Sequence, residues 1–270
     1  MALLFTLAVA ACAGDTNSLA QLASSRGSVG VGSQRVLIAV IDRSTNELIA
    51  TPEITPVATL RDEIGSPIDQ YEGEFVWVIP DVHGLYAFDV DVPGPATYQI
   101  TIDAGELGEN LGPVGFVASQ DPPQVNVGEL APRSETRTLG DTPIDQLTSD
   151  PNPDERLYQL TVAEAVESGP SVIVFATPAW CTSQACGPML DQVKAIAEQF
   201  PDLNYVHVEV YENIQVTDRL DLVVVPAVEE WTLPSEPWLY VTDSEGVVAA
   251  AFEGAVSDEE LTGALEAVSD

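Results

Sequence analysis

Hydrophobic periodicity changes once along this chain, and the change coincides with a run of prolines. From Gln34 to Val127, the stretches RVLIAVID, EFVWVIP, LYAFDVDV and TYQITIDA alternate apolar with polar residues, and the turn sequences STNE, DVHG and PGPA break them up. A period of two puts one side of each stretch inward, as in a half-buried β-strand. After residue 155 the pattern becomes helical runs interleaved with continuous apolar runs. Between the two regimes come Pro122, Pro123, Pro132, Pro143, Pro151 and Pro153, the composition of an extended connector. A length of 270 residues suffices for a core on each side. The expectation is therefore a multidomain chain: an all-β sandwich over 34–127, a linker over 128–154 and an α/β domain over 155–270.

Charge narrows the range of partners. The chain carries 43 acidic against 9 basic residues, a formal net charge of −34, and Lys194 is its one lysine. Such a field repels phosphate backbones and anionic lipid, which argues against nucleic-acid partners and against lying flat on a membrane. It reads as a solvating surface suited to high salt. No G-x-S-x-G, P-loop or H-E-x-x-H pattern occurs. Gly30-Val31-Gly32 lacks the strand and βαβ unit that a dinucleotide loop needs.

The opening stretch, MALLFTLAVAACAGD, has an apolar run from Ala2 to Ala11, too short to span a bilayer and of the length of a signal h-region. Its end, Val9-Ala10-Ala11-Cys12, resembles a bacterial lipobox, although no Lys or Arg precedes the run. The resemblance implies cleavage before Cys12, a signal peptide over 1–11, a diacylglyceryl group on the Cys12 thiol and a lipidated, Gly/Ser-rich tether over 12–33. It also implies a lipid-anchored protein on the extracytoplasmic face of the cell membrane. Two of the three cysteines, Cys181 and Cys186, then remain as a pair in an oxidising compartment.

In the first module, GLYAFDVDVPGPATYQITI resembles the last hairpin of many bacterial immunoglobulin-like domains. Tyr86 and Phe88 alternate with Ala87 and Asp89 and read as core. His83 falls in a turn. No chemistry is evident in this module, which is expected to be a spacer or docking unit.

The second module reads element by element. LTVAEAVESG has Thr161 and Glu164 in capping-box spacing and a Gly169 stop. SVIVFAT has the continuous apolar character of a strand covered on both faces. MLDQVKAIAEQF aligns Met189, Val193, Ile196, Ala197 and Phe200 on one helical face, and LNYVHVEVY is a second buried strand. PWLYVTDSEGVVAAAFEG is a hairpin turning at 243–246, and SDEELTGALEAV is a helix capped by Ser257 with Glu260 in its first turn. The result should be a mixed sheet with helices on both faces.

With FATPAWC leaving the first strand, Gly187-Pro188 after the second cysteine and Pro237 opening PWLYV, this order resembles the thioredoxin superfamily over 155–270. The resemblance implies a thioredoxin-like fold and thiol–disulfide oxidoreductase activity on exported proteins, with a further redox partner. It makes Cys181 the attacking cysteine, Cys186 the resolving one and Pro237 the cis-proline that faces them. His207 falls where thioredoxins place a buried lysine, two positions before Glu209. Val174 falls where they place a buried acid that relays protons, a departure that leaves the resolving step without its usual partner. The gap between the cysteines is also four residues instead of two.

Read from the residues themselves, that gap leaves three uses open. Residues five apart on one helix differ by about 7.5 Å in rise, too far for a disulfide whose Cα atoms lie within about 7 Å. A bonded pair therefore requires Cys181 to sit in the loop, with the helix starting between Thr182 and Gly187, where Pro188 is tolerated in the first turn. A redox-active disulfide would then use His207 as proton shuttle. A metal site would combine Cys181, Cys186 and His207 around copper as Cu(I), as in Sco-type delivery proteins, which resemble this arrangement. A structural disulfide on a binding module is the third use, although so small a loop adds little entropic stabilisation. Trp180 reads as packing beside the pair. Trp231, Trp238, Glu229, Glu230 and Glu236 crowd the Pro237 loop, either as a substrate-facing rim or as packing beneath it.

Overall fold

The computed structural model describes residues 17–23 and 29–269. Cys12 and the signal-peptide stretch lie outside the described residues. The first module contains β1 (Ser18–Leu22), β2 (Gly32–Asp42), β3 (Val57–Arg61), β4 (Pro67–Glu72), β5 (Glu74–Ile79), β6 (His83–Val92), β7 (Thr97–Asp103) and β8 (Leu111–Val117). They form two antiparallel four-stranded sheets, β1-β2-β6-β5 and β4-β3-β7-β8. Val36, Ile38, Val40, Tyr86 and Phe88 from the first sheet meet Leu60, Ile100, Ile102 and Phe116 from the second in one core. Tyr86 and Phe88 are thus core residues, as their alternation predicts.

Residues 18–22 depart from the tether expected over 12–33. SLAQL pairs along β2, from Ser18 opposite Asp42 to Leu22 opposite Ile38, and buries Ala20. A short mixed stretch such as SLAQL satisfies an edge strand as readily as a flexible segment, and the edge of β2 decides between them.

The second module contains α1 (Ile144–Leu147), α2 (Val162–Ser168), β9 (Ser171–Phe175), α3 (Cys186–Ile196), β10 (Asn204–Val208), α4 (Pro226–Glu230), β11 (Trp238–Thr242), β12 (Val248–Glu253) and α5 (Asp258–Glu266). Its sheet runs β10-β9-β11-β12, with β10 parallel to β9 and the other neighbours antiparallel. Val172 and Val174 of β9 point into one apolar cluster with α3 and α5, while Ile173 and Phe175 point into another with α2 and Trp231. Helices on both faces explain why this strand is buried at every position and apolar from Val172 to Phe175. Thr161 and Ser257 each form the reciprocal capping box that their spacing predicts.

The connector packs on the second module instead of spanning open solvent. Residues 128–131 bond to the rim of β12, with Gly128 N donating to Val248 O at 2.8 Å and Ala131 N to Gly246 O at 2.9 Å. Ser134 is buried between Trp231 and Glu230, donating a short hydrogen bond to the Glu230 carboxyl and accepting one from the Trp231 indole at 3.2 Å. Leu147 enters the core beside α3. Proline composition sets an extended backbone, but such a backbone can still lie along a sheet edge.

The two modules share an apolar seam. Leu37, Ala39, Val76, Val78, Leu85 and Ala87 leave the sandwich on the face opposite its core and form one buried cluster with Ala185 and Ala255 of the second module. The central sandwich strands are therefore covered on both sides, and VLIAV in β2 is buried throughout. Covering a Leu or Val side chain stabilises by about 1.5–3 kcal/mol relative to exposure. Arg35 closes the seam: its guanidinium forks onto the Glu260 carboxylate at 2.5 and 3.0 Å and lies 5.5 Å from the Phe252 ring centroid. Burial raises the Glu260 pKa, but the Arg35 hydrogen bond and charge outweigh it, and the net shift is downward.

A carboxylate whose pKa is depressed by folding contributes stability above its ordinary value of 4.5, and that contribution is lost as pH falls through the folded value. Arg35→Ala should cost about 1.5–3 kcal/mol in urea unfolding at neutral pH. The gap from the unmodified protein should narrow in acid; an equal gap at pH 7 and pH 3 would contradict this account.

Candidate active site

β9 delivers its last residues into a loop that adjoining elements hold in place. Trp180 N donates to Thr177 O at 3.0 Å, Ala179 N to Ser149 Oγ at 3.1 Å, and the Trp180 indole to Ile214 O at 3.2 Å. Trp180 thus spans from the loop to the segment after β10, the packing role expected of it. Thr182, Ser183 and Gln184 are exposed, and Gln184 adopts φ 59°, in the left-handed region that a non-glycine residue seldom occupies. The turn brings Cys181 back over the first residue of α3, Cys186, at a Cα–Cα distance of 6.1 Å, and the two sulfurs are bonded. The loop position of Cys181 and the helix start at Cys186 both match the geometric requirement of the wide gap.

The environments of the two sulfurs differ. Cys181 is half-buried and Cys186 is fully buried. Cys186 N–H points at Cys181 Sγ from 3.3 Å, and Ser183 Oγ lies 3.3 Å from the same sulfur. Once the bond opens, donors so placed at a helix N-terminus stabilise negative charge on Cys181. Cys186 Sγ instead meets a carboxyl oxygen, Glu236 Oε2, at 3.6 Å.

Strand pairing explains how Glu236 arrives there. Trp238 of β11 is in register with Phe175 of β9, so the antiparallel pairing carries Glu236 alongside Thr177. Thr177, fully buried, hydrogen-bonds the carboxyl with backbone and side chain. Burial is the main influence on this group, raising its pKa; the Glu209 charge adds to the rise while Thr177 and Arg219 oppose it, and the result is about 7. The Glu236–Pro237 peptide is cis, and Pro237 is buried between Glu236 and β11.

His207 sits on β10, opposite Val174 of β9. Its Nε2 is 2.9 Å from Ala176 O, a carbonyl that can only accept, so the proton belongs on Nε2. Nδ1 then accepts from Tyr158 Oη at 2.7 Å. Burial dominates and lowers the ring's pKa, despite the opposing Glu209 charge, so the imidazole is neutral and fully engaged. For the roles of proton shuttle and third copper ligand, the ring makes no hydrogen bond to either sulfur, since its nitrogens are taken by Ala176 and Tyr158. Among the described residues, no group of three or more His, Cys, Asp or Glu side chains is arranged to hold a metal ion. Glu209 accepts from Ser149 and Thr148 in the same buried cluster, and Val174 packs in the core.

Of the residues crowding the Pro237 loop, Trp231 and Trp238 are packing. Trp231 is completely buried against Phe175 and Tyr240, with ring centroids at 5.2 and 4.6 Å, and Trp238 stacks on Tyr240 at 5.6 Å. Glu236 is the residue of that group whose carboxyl meets Cys186. Its signal in the sequence was an acid directly before the proline that opens a buried strand.

No protein-family model matches the chain, and no curated protein does. Solved structures similar to parts of it include a thio-disulfide isomerase from Thermus thermophilus, 22% identical with a TM-score of 0.36, covering 53% of this chain and 97% of its own. The Lin-41 filamin domain is another, 16% identical with a TM-score of 0.26, covering 39% of this chain and 95% of its own.

Proposed function

We propose that this chain is a thiol–disulfide oxidoreductase of thioredoxin-like fold, built on an immunoglobulin-like sandwich. The observation that carries the reading is the asymmetric disulfide: a half-buried Cys181 bonded to a fully buried Cys186 at the start of α3, beside the Glu236–Pro237 loop. A substrate thiolate can approach Cys181 Sγ; the S–S bond breaks, a mixed disulfide forms there, and Cys186 departs as thiolate. A second substrate thiolate then attacks the substrate sulfur of that mixed disulfide. Cys181 leaves, and two electrons have passed from the substrate dithiol to the enzyme. The reverse sequence reduces a substrate disulfide. The Pro237 loop is assigned the substrate-facing role. The substrates are exported proteins, a separate redox partner resets the pair, and lipid on Cys12 holds the chain at the extracytoplasmic face of the cell membrane; the leader-like stretch ending at Cys12 supports this placement.

Equilibrating the purified chain in glutathione buffers of graded ratio, then labelling free thiols, tests the chemistry. The expected result is a reversible two-electron couple confined to Cys181 and Cys186. A bond that stays intact at strongly reducing ratios in the folded protein would refute exchange and leave a staple.

A further inference from the structure

We propose that Glu236 is a catalytic residue: its carboxyl carries the proton to and from Cys186 during exchange. The proposal rests on the exchange reading above. Its basis is the 3.6 Å approach of Glu236 Oε2 to Cys186 Sγ, whereas the donors at 3.3 Å, Ser183 Oγ and Cys186 N, meet Cys181 Sγ. A disulfide sulfur has no hydrogen to give, so in the oxidised protein any shared hydrogen belongs to the carboxyl. An ionised carboxylate beside a buried thiolate would oppose the opening of the bond, whereas a protonated one assists it.

Suppose the reduced pair acts on a substrate disulfide. Cys181 thiolate attacks one substrate sulfur and the other leaves as thiolate. Cys186 then transfers its thiol proton to ionised Glu236, and its sulfur attacks Cys181 Sγ. The internal disulfide closes and the second substrate thiolate departs, with two electrons delivered to the substrate. Reversed, protonated Glu236 returns the hydrogen to the Cys186 thiolate as it leaves. A carboxyl held near pH 7 has both forms populated at neutrality, the condition under which one group serves both directions.

The groups bearing on Glu236 come from several elements: Thr177 after β9, Glu209 after β10, Arg219 in the turn at 219–221, and Cys186 itself. His207 is held neutral by burial and stays on Ala176 O, so it does not titrate in step with the carboxyl. Position 174, where the related fold would supply an acid, is a buried valine. Glu236 supplies a carboxyl from the neighbouring strand's loop instead.

The test uses the full chain with Cys12→Ser in every sample, reduced and mixed with one equivalent of 4,4′-dithiodipyridine in a stopped-flow instrument. Attack by Cys181 releases a first thiopyridone and resolution by Cys186 a second. Glu236→Gln should slow the second release about 100-fold at pH 7 and abolish its inflection near that pH, leaving the first release within about twofold. A second release that keeps its rate and inflection in Glu236→Gln overturns the proposal. Loss of the first release in that variant also overturns it, by making the carboxyl a support for the loop. A reduced parent chain that never gives the second release defeats exchange itself, a separable outcome.

Discussion

Serine at position 181 will end exchange, whereas serine at position 186 will arrest it halfway. In the proposed exchange, the partial exposure of Cys181 and the two donors at its sulfur make it the atom an incoming thiolate reaches and the one that holds charge when the bond opens. Cys181→Ser should lower turnover of a disulfide substrate by about three orders of magnitude or more, as expected when a nucleophile is removed. The remaining Cys186 thiol is buried and should label slowly with maleimide in the folded protein. Cys186→Ser keeps the accessible thiol but loses the group that displaces the substrate. It should accumulate a mixed disulfide at Cys181, seen as a glutathione adduct in intact-mass spectra. Faster adduct formation at Cys186 in Cys181→Ser than at Cys181 in Cys186→Ser would reverse the two roles.

The second large effect is expected at Ala185, which packs into the apolar seam between the modules. Ala185 immediately precedes α3, is 2% exposed, and belongs to the apolar cluster that Leu37, Val76, Val78, Leu85 and Ala255 share across the two modules. Ala185→Asp would place a carboxylate there without a partner, at a cost on the order of 3 kcal/mol or more. Because Ala185 borders both the seam and the cysteine loop, the damage should appear in two places. Limited proteolysis should cut faster in 182–185, and the apparent stability of the whole chain should fall. Ala185→Ser, with a small uncharged group, should cost far less. Equal protease resistance in Ala185→Asp and the parent would mean that the sandwich does not buttress the loop.

The seam also changes how the sandwich strands are buried. Alternation in β2 and β6 predicts core on one side and solvent on the other. VLIAV in β2 and LYAF in β6 are instead apolar at consecutive positions, which is the signature of a strand covered twice, here by the opposite sheet and by the second module. The pattern was present in the residues, but a run of that length is equally compatible with a buried helix segment or with one ragged face. Strands β4, PIDQYE, and β8, LGPVGFV, left weaker signals. The first is almost wholly exposed and the second is interrupted by glycine and proline, so their pairing with β3 and β7 shapes them more than their own side chains do.

By itself the sequence determined the local elements whose cause is local: both capping boxes, the doubly buried β9, the hairpin turn at 243–246, and a cysteine loop that must precede α3 because five residues of helix would separate the sulfurs. Tertiary structure alone decided which group meets which sulfur. Glu236 lies 50 positions from Cys186, and the register of β11 on β9 sets their approach. The partners of His207, too, come from separate segments: its ring nitrogens bond to Tyr158 and Ala176. Periodicity records which face of an element is buried; it carries no record of what another strand brings to that face.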